Sequence, residues 1–145
     1  MGARVGIAEF FEHVSKLKKR TEKVEILKAN DSYEIRTILQ GAFDPRVKWA
    51  LPEGTPPYNP TTLVDQENVL IHSLRKLIYF VEGGAPNLKQ LKRESMFIEL
   101  LETVAPADAK LLCAIKDKKM PYKGITVDIV REAFPDLLPP EESKA

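Results

Sequence analysis

From Gly6 to about Lys19, apolar residues recur at helical spacing, with Ile7, Phe10, Phe11, Val14 and Leu17 on one side and Glu9, Glu12, Lys16 and Lys18 on the other. The pattern predicts an amphipathic helix. Thr21 as N-cap opens a short second helix with Val24, Ile26 and Leu27, ending near Asn30. Asp31 or Ser32 caps a third, which carries Tyr33, Ile35, Ile38 and Leu39, with Gly41 placed to stop it. Beyond Pro60, Thr61 or Thr62 caps a longer helix whose Leu70, Leu74, Leu77, Ile78 and Val81 form a stripe running up to Gly83-Gly84. Asn87, with Gln90 three residues on, reads as a capping box ahead of a stripe of Leu88, Leu91, Ile98 and Leu101, flanked by Phe97 and Leu100. Pro106 suits the first position of a helix bearing Ala107, Leu111, Leu112 and Ile115, and residues 119–124 read as a turn. Thr126 caps a last short helix, with Ile125 stapled onto Val130, that Pro135 ends after Phe134.

No segment sustains a two-residue alternation of apolar and polar side chains, so the predicted fold class is all-α, a compact bundle of about six or seven short helices. Helical halves at 6–42 and 62–134 flank a long loop at 43–61, and the expected organisation is one α-helical domain over 1–138 with a frayed tail at 139–145.

The central loop stands apart from this pattern. It holds five prolines between Asp44 and Thr61, together with the only tryptophan. Proline fixes φ and removes a backbone donor, which excludes a helix interior or a central strand. Phe43, Trp49, Leu51 and Tyr58 are nevertheless costly to leave in water. They must therefore pack against the helices or anchor a partner. Stiff backbone loses little entropy on docking, and aromatic side chains are common interface anchors, so these four are candidate partner-binding residues. Phe134, Leu137 and Leu138, apolar groups beside Asp136 near the chain end, form a second candidate docking segment, with core packing as the plain alternative.

Composition narrows the choice of chemistry. With 22 Lys and Arg against 21 Asp and Glu, the chain has a formal charge of +1 and no strong global field. Its one cysteine, Cys113, lies in an apolar run where a thiol packs as a small hydrophobe, pointing to a reducing, cytosolic setting. No apolar run approaches the length of a membrane span, the start of the chain reads as an amphipathic helix and not as a secretion signal, and Gly2 lacks the Ser or Thr at position 6 that myristoylation wants.

Four blocks, Asn30 to Lys48, Leu51 to Tyr58, Phe80 to Glu94 and Ala114 to Phe134, resemble a family of small proteins of unknown function from tailed bacteriophages, including T4-like phages of marine cyanobacteria. The resemblance implies a context, the cytoplasm of an infected bacterium. It carries over no functional residue.

Candidate sites follow from residue chemistry. His13 and His72 sit in helical patterns away from Cys113, so no nucleophile and base pair suggests itself, and no ligand spacing fits a metal. The expectation is a chain without catalytic residues, metal or cofactor. For anions, Lys89, Lys92 and Arg93 follow Gly83-Gly84 at a helix start, but no strand precedes the glycines and no Gly-Lys-Ser/Thr ending follows them. Basic clusters at Lys16, Lys18, Lys19 and Arg20 and at Lys116 to Lys119 suit either phosphate contact or the negative ends of helix dipoles. The leading expectation is therefore a non-enzymatic adaptor or modulator that binds a host or phage protein. The alternative is a nucleic-acid-binding accessory factor of phage replication or transcription, using Lys16, Lys18, Lys19, Arg20, Lys89, Lys92 and Arg93. No membrane partner is expected, and a second copy of the chain is a further candidate partner.

Overall fold

A computed structural model describes residues 6–63 and 69–139 of the chain. Among them run seven α-helices: α1 (Ile7–Lys16), α2 (Arg20–Ala29), α3 (Tyr33–Phe43), α4 (Val69–Ser73), α5 (Gln90–Thr103), α6 (Pro106–Lys116) and α7 (Val127–Ala133). A 3-10 helix (Leu74–Phe80) continues directly from α4. The described residues contain no strand, only an isolated antiparallel bridge between Trp49 and Val81. The fold is all-α.

Helix α6 organises the packing. It meets α1, α3 and α5, while α2 packs on α7 and α1, and the 3-10 helix packs on α5. Its buried Leu111, Leu112 and Ile115 join one cluster with Phe11 and Val14 of α1, Ile38 and Leu39 of α3, and Leu101 of α5. Pro106 stands in its first turn, where a missing N–H costs nothing. Asp108, also in that turn, is buried, and its Oδ1 accepts the Ala8 N–H at 2.9 Å. The residue before α1 is Gly6, which has no side chain with which to satisfy the first amides, so a carboxylate from another helix supplies the cap.

Several expected boundaries shift, each for a local reason. Lys19, not Thr21, is the N-cap of α2, and its amide is held by Glu22 Oε1 at 3.3 Å. Gly41 does not stop α3, which runs on to Phe43 just ahead of Pro45. The stripe from Leu70 to Val81 is not one α-helix. In a 3-10 helix, residues three apart eclipse, so Leu74, Leu77 and Phe80 share the buried face and Ile78 is thrown outward. Thr61 Oγ1 accepts the Leu63 N–H at 3.1 Å, but residues 61–63 are not helical and 64–68 lie outside the described residues.

Helix α5 begins at Gln90, with Lys89 as its N-cap and without the Asn87 capping box: the Gln90 side-chain oxygen that the box needs accepts from Arg93 at 2.6 Å, while its Nε2 donates to the Ala50 carbonyl at 2.9 Å and to Glu94 at 2.8 Å. Leu91 is 82 % exposed, and Arg93 takes the inward position. Thr126 caps α7 as its sequence predicts, accepting the Ile129 N–H at 3.4 Å. Of the tail at 139–145, only Pro139 falls among the described residues, and its carbonyl accepts from Arg131 at 2.7 Å.

Candidate functional site

The C-terminus of α6 fixes the proline-rich loop. Prolines remove donors, so the loop's carbonyls must find partners elsewhere. Two lysines provide them. Lys116, whose side chain is 1 % exposed, donates to the carbonyls of Pro52 at 2.8 Å and Gly54 at 2.9 Å and to Asp117 Oδ1 at 2.6 Å. Lys118 donates to the carbonyls of Gly41 at 2.9 Å, Asp44 at 2.6 Å and Val47 at 3.0 Å. An ammonium carries three N–H donors, and here each meets three acceptors. The chain reverses at Lys118, which adopts a left-handed backbone with φ of 61°. Burial lowers the pKa of the Lys118 ammonium, opposed in part by the charge of Asp44. Asp117 completes the arrangement, its Oδ2 accepting the Gly54 N–H at 3.1 Å.

Asp44 is buried at the start of the loop. Burial alone would raise its carboxyl pKa, but hydrogen bonds from the Arg46 side chain and amide, together with the charges of Arg46 and Lys118, outweigh that effect and leave it lowered.

Trp49 is half-buried across α3. Its Nε1 donates to the Gly41 carbonyl at 3.0 Å, and a Cβ at position 41 would lie 2.9 Å from its Cζ2. Glycine at 41 is thus the seat of the indole. On the far side, Ala50 N–H donates to Phe80 O and Glu82 N–H to Lys48 O, both at 2.7 Å, which pins the loop to the end of the 3-10 helix. Between this strand-like segment, α3 and the 3-10 helix lies a groove of about 250 Å³. Trp49, Leu74, Leu77 and Val81 line it together with Tyr33 and Ile78, which are 62 % and 54 % exposed. Arg46, Lys48, Arg75 and Glu82 supply its charged groups.

The four loop residues singled out in the sequence do not converge. Phe43, Trp49, Leu51 and Tyr58 are all half-buried against the core; Trp49 and Leu51 share one shallow groove, but no groove gathers all four. Leu51 lines a second groove of about 280 Å³ with Phe97 and Ile98, and Tyr58 lines a third of about 270 Å³ above Cys113. The thiol is buried, and burial pushes its pKa up. His13 and His72 are both exposed. Among the described residues no three His, Cys, Asp or Glu are grouped to hold a metal, and no helix is long and apolar enough to cross a membrane.

The second docking segment needs correction. Phe134, Leu137 and Leu138 are buried in the core, and so present no apolar surface to a partner. The Arg36 guanidinium lies 5.1 Å from the Phe134 ring centre, and Gln40 Nε2 donates to the Leu137 carbonyl at 3.2 Å.

Arg93 is corrected likewise. It is buried and donates to the Tyr79 carbonyl at 2.8 Å, the Ala85 carbonyl at 3.0 Å and Gln90 Oε1 at 2.6 Å, holding the connector that contains Gly83-Gly84. Lys16 pairs with Glu12 at 3.0 Å and Arg20 with Glu132 at 2.9 Å. Lys18 and Lys19 are exposed between α1 and α2, and Lys89 and Lys92 are exposed at the start of α5.

Sequence reasoning missed two components of the site. Tyr33 and Ile78 look like core positions on an α-helical wheel, and only the 3-10 geometry would have released Ile78. The Lys-Asp-Lys run at 116–118 looks like a solvated helix end, although donor-poor proline loops elsewhere in the chain signal a need for inward cations.

A family model described as "Family of unknown function (DUF6433)" matches residues 10–122, a span that contains the whole proline-rich loop and both lysine anchors. No curated protein and no solved structure matches the chain.

Proposed function

Since the chain belongs to this family of unknown function (DUF6433), its role must be argued from its surface, and we propose that it is a non-enzymatic protein-binding module whose partner docks in the groove beside Trp49. One observation carries the reading: two large apolar side chains, Tyr33 and Ile78, stand exposed on either side of a groove lined by the only tryptophan. Contiguous exposed apolar surface rimmed by polar groups is the usual mark of an interaction site, and aromatic anchors contribute most where the site is already rigid. The rigidity comes from Lys118, which holds the loop carbonyls of Asp44 and Val47, and from the Gly41 carbonyl, which holds the indole, before any partner arrives.

The resemblance of four sequence blocks to tailed-phage proteins supports a setting in the cytoplasm of an infected bacterium, with the chain acting as an adaptor or modulator of host or phage machinery. The nucleic-acid alternative is left with fewer cations, because Arg93 is engaged with main-chain carbonyls and Lys16 and Arg20 are paired with carboxylates.

The test is site-specific photocrosslinking in infected cells, with benzoylphenylalanine in place of Ile78 and, as a control, of the exposed Glu25. The expected result is a discrete protein adduct from position 78 alone that disappears when Tyr33→Asp is added. Equal adducts from both positions, or none from position 78, would remove the groove assignment.

A further inference from the structure

We infer that the groove beside Trp49 takes an acidic amphipathic peptide segment, one in which large apolar side chains alternate with carboxylates. The inference rests on the protein-binding reading above and narrows it to one class of partner. The charge of the groove is one-sided: Arg46, Lys48 and Arg75 line it against the single carboxylate of Glu82. Arg46 is bound to Asp44 at 2.9 Å, but that carboxylate is buried and also feels the charge of Lys118, so two cations surround one anion and the set stays positive. An apolar side chain of the partner covers Trp49 between Tyr33 and Ile78, while flanking carboxylates meet Lys48 and Arg75. A basic segment meets repulsion at the same positions. A nucleic acid strand fits less well, because the wall formed by Leu74, Leu77, Ile78 and Val81 is aliphatic and offers successive bases no aromatic faces to stack on.

The full chain reports binding through its one tryptophan. The probe is a short synthetic peptide in which Asp and Glu alternate with Leu and Phe. Three controls accompany it: the same peptide with Lys at every acidic position, the same peptide with Ser at every apolar position, and an oligouridylate of equal length.

The acidic peptide is expected to shift Trp49 emission with a dissociation constant of about 10–100 µM. Affinity should fall several-fold as salt is raised from about 0.05 to about 0.5 M. It should drop about tenfold in the double variant Lys48→Glu, Arg75→Glu, whose sites are exposed, and stay unchanged in Lys89→Glu, Lys92→Glu. The inference is overturned if the Lys or Ser peptide binds as tightly, if the Lys48→Glu, Arg75→Glu variant keeps full affinity, or if the oligouridylate displaces the acidic peptide. Should no peptide bind while the position-78 adduct to a protein persists, the acidic class is wrong and the docking reading stands. Loss of both removes both.

Discussion

The proline-rich loop and the C-terminal segment have similar ingredients, irregular backbone carrying large apolar side chains, and both have carbonyls held by side-chain donors, yet they differ in how deeply their apolar side chains are buried. Phe134, Leu137 and Leu138 are fixed by their side chains, which are buried in the core. The loop at 44–54 is fixed by its backbone, through carbonyls gripped by Lys116 and Lys118, and its Val47, Trp49 and Leu51 side chains stay half-exposed. A segment anchored through its side chains has no apolar surface left to offer. One anchored through its main chain is ordered and still presents Trp49 to a groove that Tyr33 of α3 and Ile78 of the 3-10 helix flank. Rigidity and availability are separable, and this chain separates them with two ammonium groups.

The contrast can be broken most severely at the buried end. Phe134→Ala should cost about 3–5 kcal/mol of stability, read from urea denaturation, because a filled core position becomes a cavity. Lys116→Met keeps the bulk and removes the charge, leaving the Pro52 and Gly54 carbonyls and Asp117 without their common donor. A loss of about 2–3 kcal/mol is expected, with hydrogen exchange accelerated at the Gly54 amide and unchanged at the Phe134 and Leu137 amides. Equal acceleration in both segments would show that the loop is not separately anchored.

Gly41→Ala sharpens the comparison by pushing the indole off its seat. A stability loss of about 1–3 kcal/mol should accompany a red shift of Trp49 emission, since the added methyl meets Cζ2 at 2.9 Å. Acid should loosen the loop before the C-terminal segment. The lowered carboxyl of Asp44 contributes stability that is fully present above the ordinary carboxylate pKa and is lost as pH falls through the lower folded value. Asp44→Asn should flatten that acid limb in a pH series of urea midpoints. The smallest effect belongs to the groove rim: Ile78→Ser should change stability by less than about 0.5 kcal/mol while abolishing the position-dependent crosslink partner in a competition assay.

Helical periodicity made most of the fold legible. α1, α3, α6 and α7 carry their apolar residues at the spacing their burial requires, and Ser32, Thr126 and Pro106 mark starts that the structure keeps. The segment from Leu70 to Val81 misled because a stripe at three- and four-residue spacing fits both helix types until packing chooses one, and that choice decides whether Ile78 faces the core or water. Gly41 misled because glycine marks a helix end and a close approach equally well, and the indole that needs the space comes eight residues later. The role of Lys116 and Lys118 depends on carbonyls more than sixty residues away, a relation that no local window contains.

The carboxylate that completes the first turn of α1 has a temporal meaning. Asp108 is synthesised one hundred residues after the amide it serves, so the start of the chain must wait, incompletely capped, until α6 has left the ribosome. Contacts this distant in sequence, like those of α2 with α7, raise the contact order of the fold and slow the search for the native state.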